Sequence, residues 1–90
     1  MAAIVWDENA QTIFDTVIGN LPQFHRSIAE QLVKESAEMI ASKREASKVE
    51  EEDLIRAFFN EVPPAFRDMM CRLFQQLDIQ YQQYIDNGNT

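Results

Sequence analysis

The chain holds one histidine, His25, and one cysteine, Cys71, in ninety residues. A single imidazole supplies no His pair for a metal, and a nucleophilic triad would have to bring His25 to partners far along the sequence. Cys71 cannot close an internal disulfide and has no second thiol at zinc spacing. It falls on or beside an apolar stripe, where an inert thiol is expected, because activation needs nearby positive charge or a helix N-terminus. The run Glu50-Glu51-Glu52-Asp53 concentrates four carboxylates, yet a hard-cation loop needs ligands at alternating positions and a turn glycine. It reads instead as a solvated helix start, favoured by the positive end of the helix dipole. No catalytic residue, metal ligand or cofactor is assigned. An independent enzyme, with His25 or Cys71 as its reactive group, ranks last among the functional readings.

Two arginines stand out by position. Leu21-Pro22-Gln23-Phe24-His25-Arg26 and Val62-Pro63-Pro64-Ala65-Phe66-Arg67 share an apolar residue, a proline, an aromatic and an arginine, and each opens an amphipathic stretch. Reuse of a good helix start accounts for this better than duplication. A cation in a first helical turn is disfavoured by a few tenths of a kcal/mol, so each guanidinium needs a partner. A carboxylate such as Glu30 or Asp68, or the acidic run, is expected before an anionic ligand gripped by Arg26. Pro22, Phe24, Arg26 and Arg67 are the candidate ligand or partner contacts.

The elements that must position these residues are helical. Glycine occurs twice and proline three times, and no stretch alternates as a strand should. Asp7 caps a first helix over about residues 7 to 18, whose apolar face is Ala10, Ile13, Phe14, Val17 and Ile18; Trp6 staples its start. Gly19-Asn20 is expected to end it through a left-handed cap. Pro22 opens a long second helix running to Arg44. Two rows, Ile28-Leu32-Met39 and Ala29-Val33-Ala37-Ile40, predict a broad buried face that makes this helix the spine, with Leu32 in the core.

A third helix follows from about residue 50 to 60, with Leu54, Ile55, Phe58 and Phe59 inward. After Val62-Pro63-Pro64 comes a fourth, with Phe66, Met69, Met70, Leu73, Phe74 and Leu77 at steps of three and four. The tail, residues 78–90, is either a short packed helix around Tyr81 and Tyr84 or an exposed arm, and its last five residues are expected to fray. The prediction is one all-α domain over residues 1–90, four helices around one long central helix, with its core in 6–77. Methionines and phenylalanines on the helix faces are core by spacing, with an apolar groove for a partner helix or flat ring ligand as the sharper alternative.

Charge narrows the partners. A net charge of -7 repels a phosphate backbone, so nucleic acid is excluded. No apolar run approaches the roughly 20 residues that span a bilayer, and no signal peptide is visible at the start; neither membrane association nor export is expected, and the location expected is the cytoplasm.

Taken together, Trp6-Asp7 with Ala10, Leu21-Pro22 with Phe24 and Arg26, Glu30, Ala37, and Val49 with Asp53 and Ala57 carry a resemblance over about residues 6 to 57. The chain resembles the small helical domain at the C-terminus of the B subunit of light-independent protochlorophyllide reductase, which also occurs as short free-standing proteins. That resemblance implies a helical accessory module of a nitrogenase-like oxidoreductase of chlorophyll synthesis, beside the tetrapyrrole-binding region. It implies as partner an oxidoreductase subunit, or a tetrapyrrole-like ligand in an apolar groove. The family's long helix tends to be basic with a glycine toward its end, where this chain has Glu30, Glu35, Glu38 and Glu45. The order short helix, long helix, short helix also matches the histone fold, which implies the alternative of a homodimeric scaffold that does not bind DNA.

Overall fold

A computed structural model describes residues 4–85 and, of Phe24 and Ile85, only the backbone. Its elements are β1 (Val5–Trp6), α1 (Glu8–Gly19), α2 (Gln23–Lys43), β2 (Lys48–Val49), α3 (Glu51–Glu61), a 3-10 turn (Pro64–Phe66), α4 (Arg67–Gln76) and α5 (Gln82–Ile85). The protein is a small all-α domain, with two-residue strands as its only sheet among the described residues.

Asp7 caps α1 as its side chain predicts, accepting from the Asn9 N–H at 3.2 Å. The same carboxylate pairs with Lys48 Nζ at 2.9 Å, which holds it below the ordinary carboxylate value. The inward face of α1 is the one the periodicity marks: Ala10, Ile13, Phe14, Val17 and Ile18. Its end differs from expectation. Gly19 has no left-handed backbone, and Asn20 is right-handed at φ -95. A different device closes the helix: Arg26 Nη2 donates to the carbonyls of Gly19 at 3.2 Å and Leu21 at 3.0 Å.

Trp6 does not act as a local staple. Its ring lies 5.2 Å from Phe14, and its Nε1 donates to Glu38 Oε2 at 2.9 Å, tying the N-terminal strand to α2. Strands β1 and β2 run parallel, Val5 beside Lys48 and Trp6 beside Val49, and the Asp7 N–H continues the ladder to the Val49 carbonyl at 2.9 Å.

On α2 only one of the two apolar rows is buried. Val33, Ala37 and Ala41 are inside, whereas Ile28 is 62% exposed, Leu32 43% and Met39 58%. The expectation that Leu32 is a core residue is therefore corrected. At about 100° per residue the exposed row spans roughly 40° of the helix and lies roughly 160° from the buried one. The helix carries two opposed apolar stripes, and only one has a covering layer.

The deepest burial is on α3, where Leu54, Ile55, Ala57 and Phe58 have no exposure. Phe58 meets Phe74 of α4 edge-on at 5.8 Å, and Phe59 meets the same ring at 5.6 Å. The tail packs, the first of the two arrangements open to it. Tyr81 is buried, stacks on Phe59 at 5.8 Å and accepts from Gln75 Nε2 at 3.0 Å. Residues 86–90, expected to fray, lie outside the described residues.

Both α2 and α4 end in one motif. Ala46 N–H reaches the Ala41 carbonyl and Glu45 N–H that of Ser42; Ile79 N–H reaches Phe74 and Asp78 N–H reaches Gln75. These are Schellman ends, in which the residue after the cap must be left-handed. Glu45 at φ 61 and Asp78 at φ 58 fill the positions glycine usually takes.

A candidate docking groove between the second and fourth helices

The uncovered stripe of α2 forms one wall of a groove of about 380 Å³. Ile28 and Leu32 form this wall, and Phe66 and Met69 form the wall opposite; all four are exposed. Its floor is Val33 and Met70, both buried. The proline break after α3 explains why the groove exists. Val62-Pro63-Pro64 forces a turn and a 3-10 step before α4 can begin, which sets Phe66 away from the core; Val62 and Pro63 close one end. His25 lies at the lip, its ring 5.8 Å from Phe66. Glu61 is the one carboxylate among the lining residues.

The four candidate contacts disperse. Pro22 lines the groove. Arg26 is turned to the carbonyls at the end of α1, where the negative end of the helix dipole compensates it in place of a carboxylate or anion. Its Nε is buried without a partner among the described residues. The Arg67 guanidinium lies 5.6 Å from the centroid of the Phe59 ring, so an aromatic face supplies its partner. The Phe24 side chain lies outside the described residues. Sequence reasoning placed Ile28, Leu32, Phe66 and Met69 in the core by default. The signal that could have separated them is the excess of apolar rows on α2, two where one would cover the domain.

The acidic run is not wholly solvated. Asp53 has no exposure, and Arg44 grips it with two bonds of 2.7 Å, Nε to Oδ1 and Nη2 to Oδ2. The Glu50 N–H adds a third at 2.9 Å. Burial pushes the Asp53 carboxyl up, but the bonds from Arg44 and Glu50 outweigh it and hold it below its ordinary value, while the Asp53 bonds push Arg44 up. This pair locks the end of α2 to the start of α3, at the opposite end of α3 from Glu61 and the groove. Cys71 is half-buried on α4. Among the described residues no three His, Cys, Asp or Glu side chains are grouped to hold a metal ion, and no helix is long and apolar enough to cross a membrane.

Fold and groove together define a small all-α domain with an exposed apolar groove on one face. By its sequence the chain belongs to the family described as Protein of unknown function (DUF2621), whose model matches residues 1–87. No curated protein and no solved structure matches it.

Proposed function

We propose that this chain is a non-catalytic docking module, which holds an apolar segment of a protein partner in the groove between α2 and α4. One observation carries the reading. Of the six large apolar side chains exposed among the described residues, four line this groove, Ile28, Leu32, Phe66 and Met69, and Met39 continues the exposed row of α2 beyond it. Singly exposed apolar residues are ordinary, but a contiguous set walling a groove marks an interaction site. The walls are themselves exposed, so they would leave much of a small ring ligand in water, whereas sites for such ligands cover most of their surface. A partner helix suits the shape better than a tetrapyrrole-like ligand.

The resemblance to the reductase domain, carried by Trp6, Asp7, Pro22, Phe24 and Arg26, supports an accessory role beside an oxidoreductase subunit. A photo-crosslinking residue placed at Leu32, with an exposed control at Glu8, tests the reading in cells that produce the protein. A discrete adduct from position 32, suppressed by Phe66→Asp and identified by mass spectrometry as an oxidoreductase subunit, is the expected result. An absence of adducts above the Glu8 control would remove the docking reading, and an adduct of another protein class would remove the oxidoreductase assignment alone.

A further inference from the structure

We infer that the occupant is a basic amphipathic helix of the partner, seated on Ile28, Leu32, Phe66 and Met69 with lysine or arginine set against Glu35 and Glu61. The inference rests on the docking reading above and adds the chemistry of what docks. The exposed row from Ile28 to Met39 runs about 16 Å, three turns, at about 1.5 Å per residue. That length accommodates a facing helix with anchors at i, i+3 or i+4, and i+7.

Charge decides what kind of helix. Glu35 falls within roughly 20° of Ile28 around α2 and is exposed, so a carboxylate sits in the middle of the apolar row. Glu61 supplies another at the groove, and the whole chain carries -7. A second copy is the wrong occupant on this ground. Two-fold pairing through the row 28–39 is centred between Val33 and Lys34, which brings both Glu35 carboxylates to within about 5 Å along the axis. Two chains of -7 add to that repulsion. Phosphate, propionate and anionic lipid meet the same carboxylates. A cationic helix is attracted by them, and its lysines leave the apolar stripe free for the groove.

Two synthetic helices of about 18 residues test this, a length that covers the row with a turn to spare at each end. Both carry leucine at i, i+3, i+4 and i+7; one has lysine elsewhere and the other glutamate. Each is titrated into the intact chain at physiological salt, with the methyl resonances of Met39 and Met69 as readout. The Leu/Lys helix is expected to bind one to one and shift both methyls. Leu32→Asn should weaken it about tenfold, and Glu35→Lys should weaken it severalfold while improving the Leu/Glu helix. Both substituted residues are exposed, so the variants should keep the fold, as circular dichroism would show.

Equal binding of the two helices, each weakened by Leu32→Asn, overturns the charge inference and leaves groove docking standing. Leu/Lys binding indifferent to Leu32→Asn reduces it to general attraction between opposite charges and overturns the inference as well. Silence of both methyls with both helices counts against inference and docking alike. Sedimentation showing a dimer that Leu32→Asn dissociates would put a second copy in the groove instead.

Discussion

Asp53 is the residue on which the middle of the chain turns. It has no exposure, accepts from Arg44 twice and from the Glu50 N–H, and joins two helices across a tight connector. Asp53→Asn keeps the shape but removes the charge, and Arg44, at 35% side-chain exposure, can turn toward water. The cost should therefore fall below the roughly 3 to 5 kcal/mol of a fully buried pair broken on one side, at about 2 kcal/mol in urea denaturation at pH 7. Because the folded carboxyl lies below 3.8, the unfolded chain binds this proton first. The stabilisation is thus complete above about pH 5 and is lost as the pH falls below about 4 through the folded value. Asp53→Asn should erase that part of the acid transition, and an unchanged acid limb would contradict the assignment. Arg26 makes a second residue-scale prediction. Its two bonds to the end of α1 are structural, so Arg26→Ala should lower the thermal midpoint measured by circular dichroism while leaving groove binding intact.

Elements show why part of the fold was legible and part was not. The Asp7 cap, the five-residue face of α1 and the inward face of α3 follow from side-chain type and spacing, because each helix has one apolar row. On α2 there are two rows, and periodicity cannot say which one meets the core. Leu32→Ala should accordingly cost under about 1 kcal/mol, while Leu54→Ala, with no exposure, should cost about 2 to 5 kcal/mol. Equal urea midpoints would reverse the phase given to α2. The strands β1 and β2 left no trace in the sequence because two residues cannot alternate. Arg44 with Asp53 was hidden because carboxylates at a helix start already have a sufficient reason in the dipole. For the groove, the sequence offered apolar supply and Pro22 but could not show which side chains stay uncovered.

Helix ends make another prediction at this scale. Gly19 has ordinary helical backbone, and a Cβ there would meet nothing within 4 Å, while Glu45 occupies a left-handed position without glycine. Gly19→Ala and Glu45→Gly should each stabilise by about 0.5 to 1 kcal/mol, additively, since they act at separate helix ends. A loss of stability in either would show that the other state of the chain dominates the effect.

At the scale of the molecule, fifteen acidic residues face eight basic ones. Among the described residues, ion pairs fix cations to particular carboxylates: Arg44 to Asp53 and Glu50, Lys48 to Asp7 and Arg56 to Glu52. The unpaired carboxylates remain and repel one another within a compact domain. Raising salt from about 20 to 300 mM shortens the screening length from roughly 20 to 6 Å, so repulsion should fall more than the close pairs do. The thermal midpoint should rise with sodium chloride, and a fall would mean that the ion pairs outweigh the excess charge.

Trp6 is the chain's single tryptophan, held by Phe14 on one side and Glu38 on the other. Its emission is therefore an internal gauge of one event, the seating of the N-terminal strand against α2 and β2. The tyrosines stand at the other end of the chain, Tyr81 inside the ring cluster with Phe59 and Phe74. Excitation at the red edge of the band sees the indole alone, and excitation further to the blue also sees the phenols. Two wavelengths thus follow the two ends of the chain separately, without a label and without touching the groove. A partner that fills the groove should leave the indole signal steady, whereas one that peels away the N-terminal strand should shift it to the red.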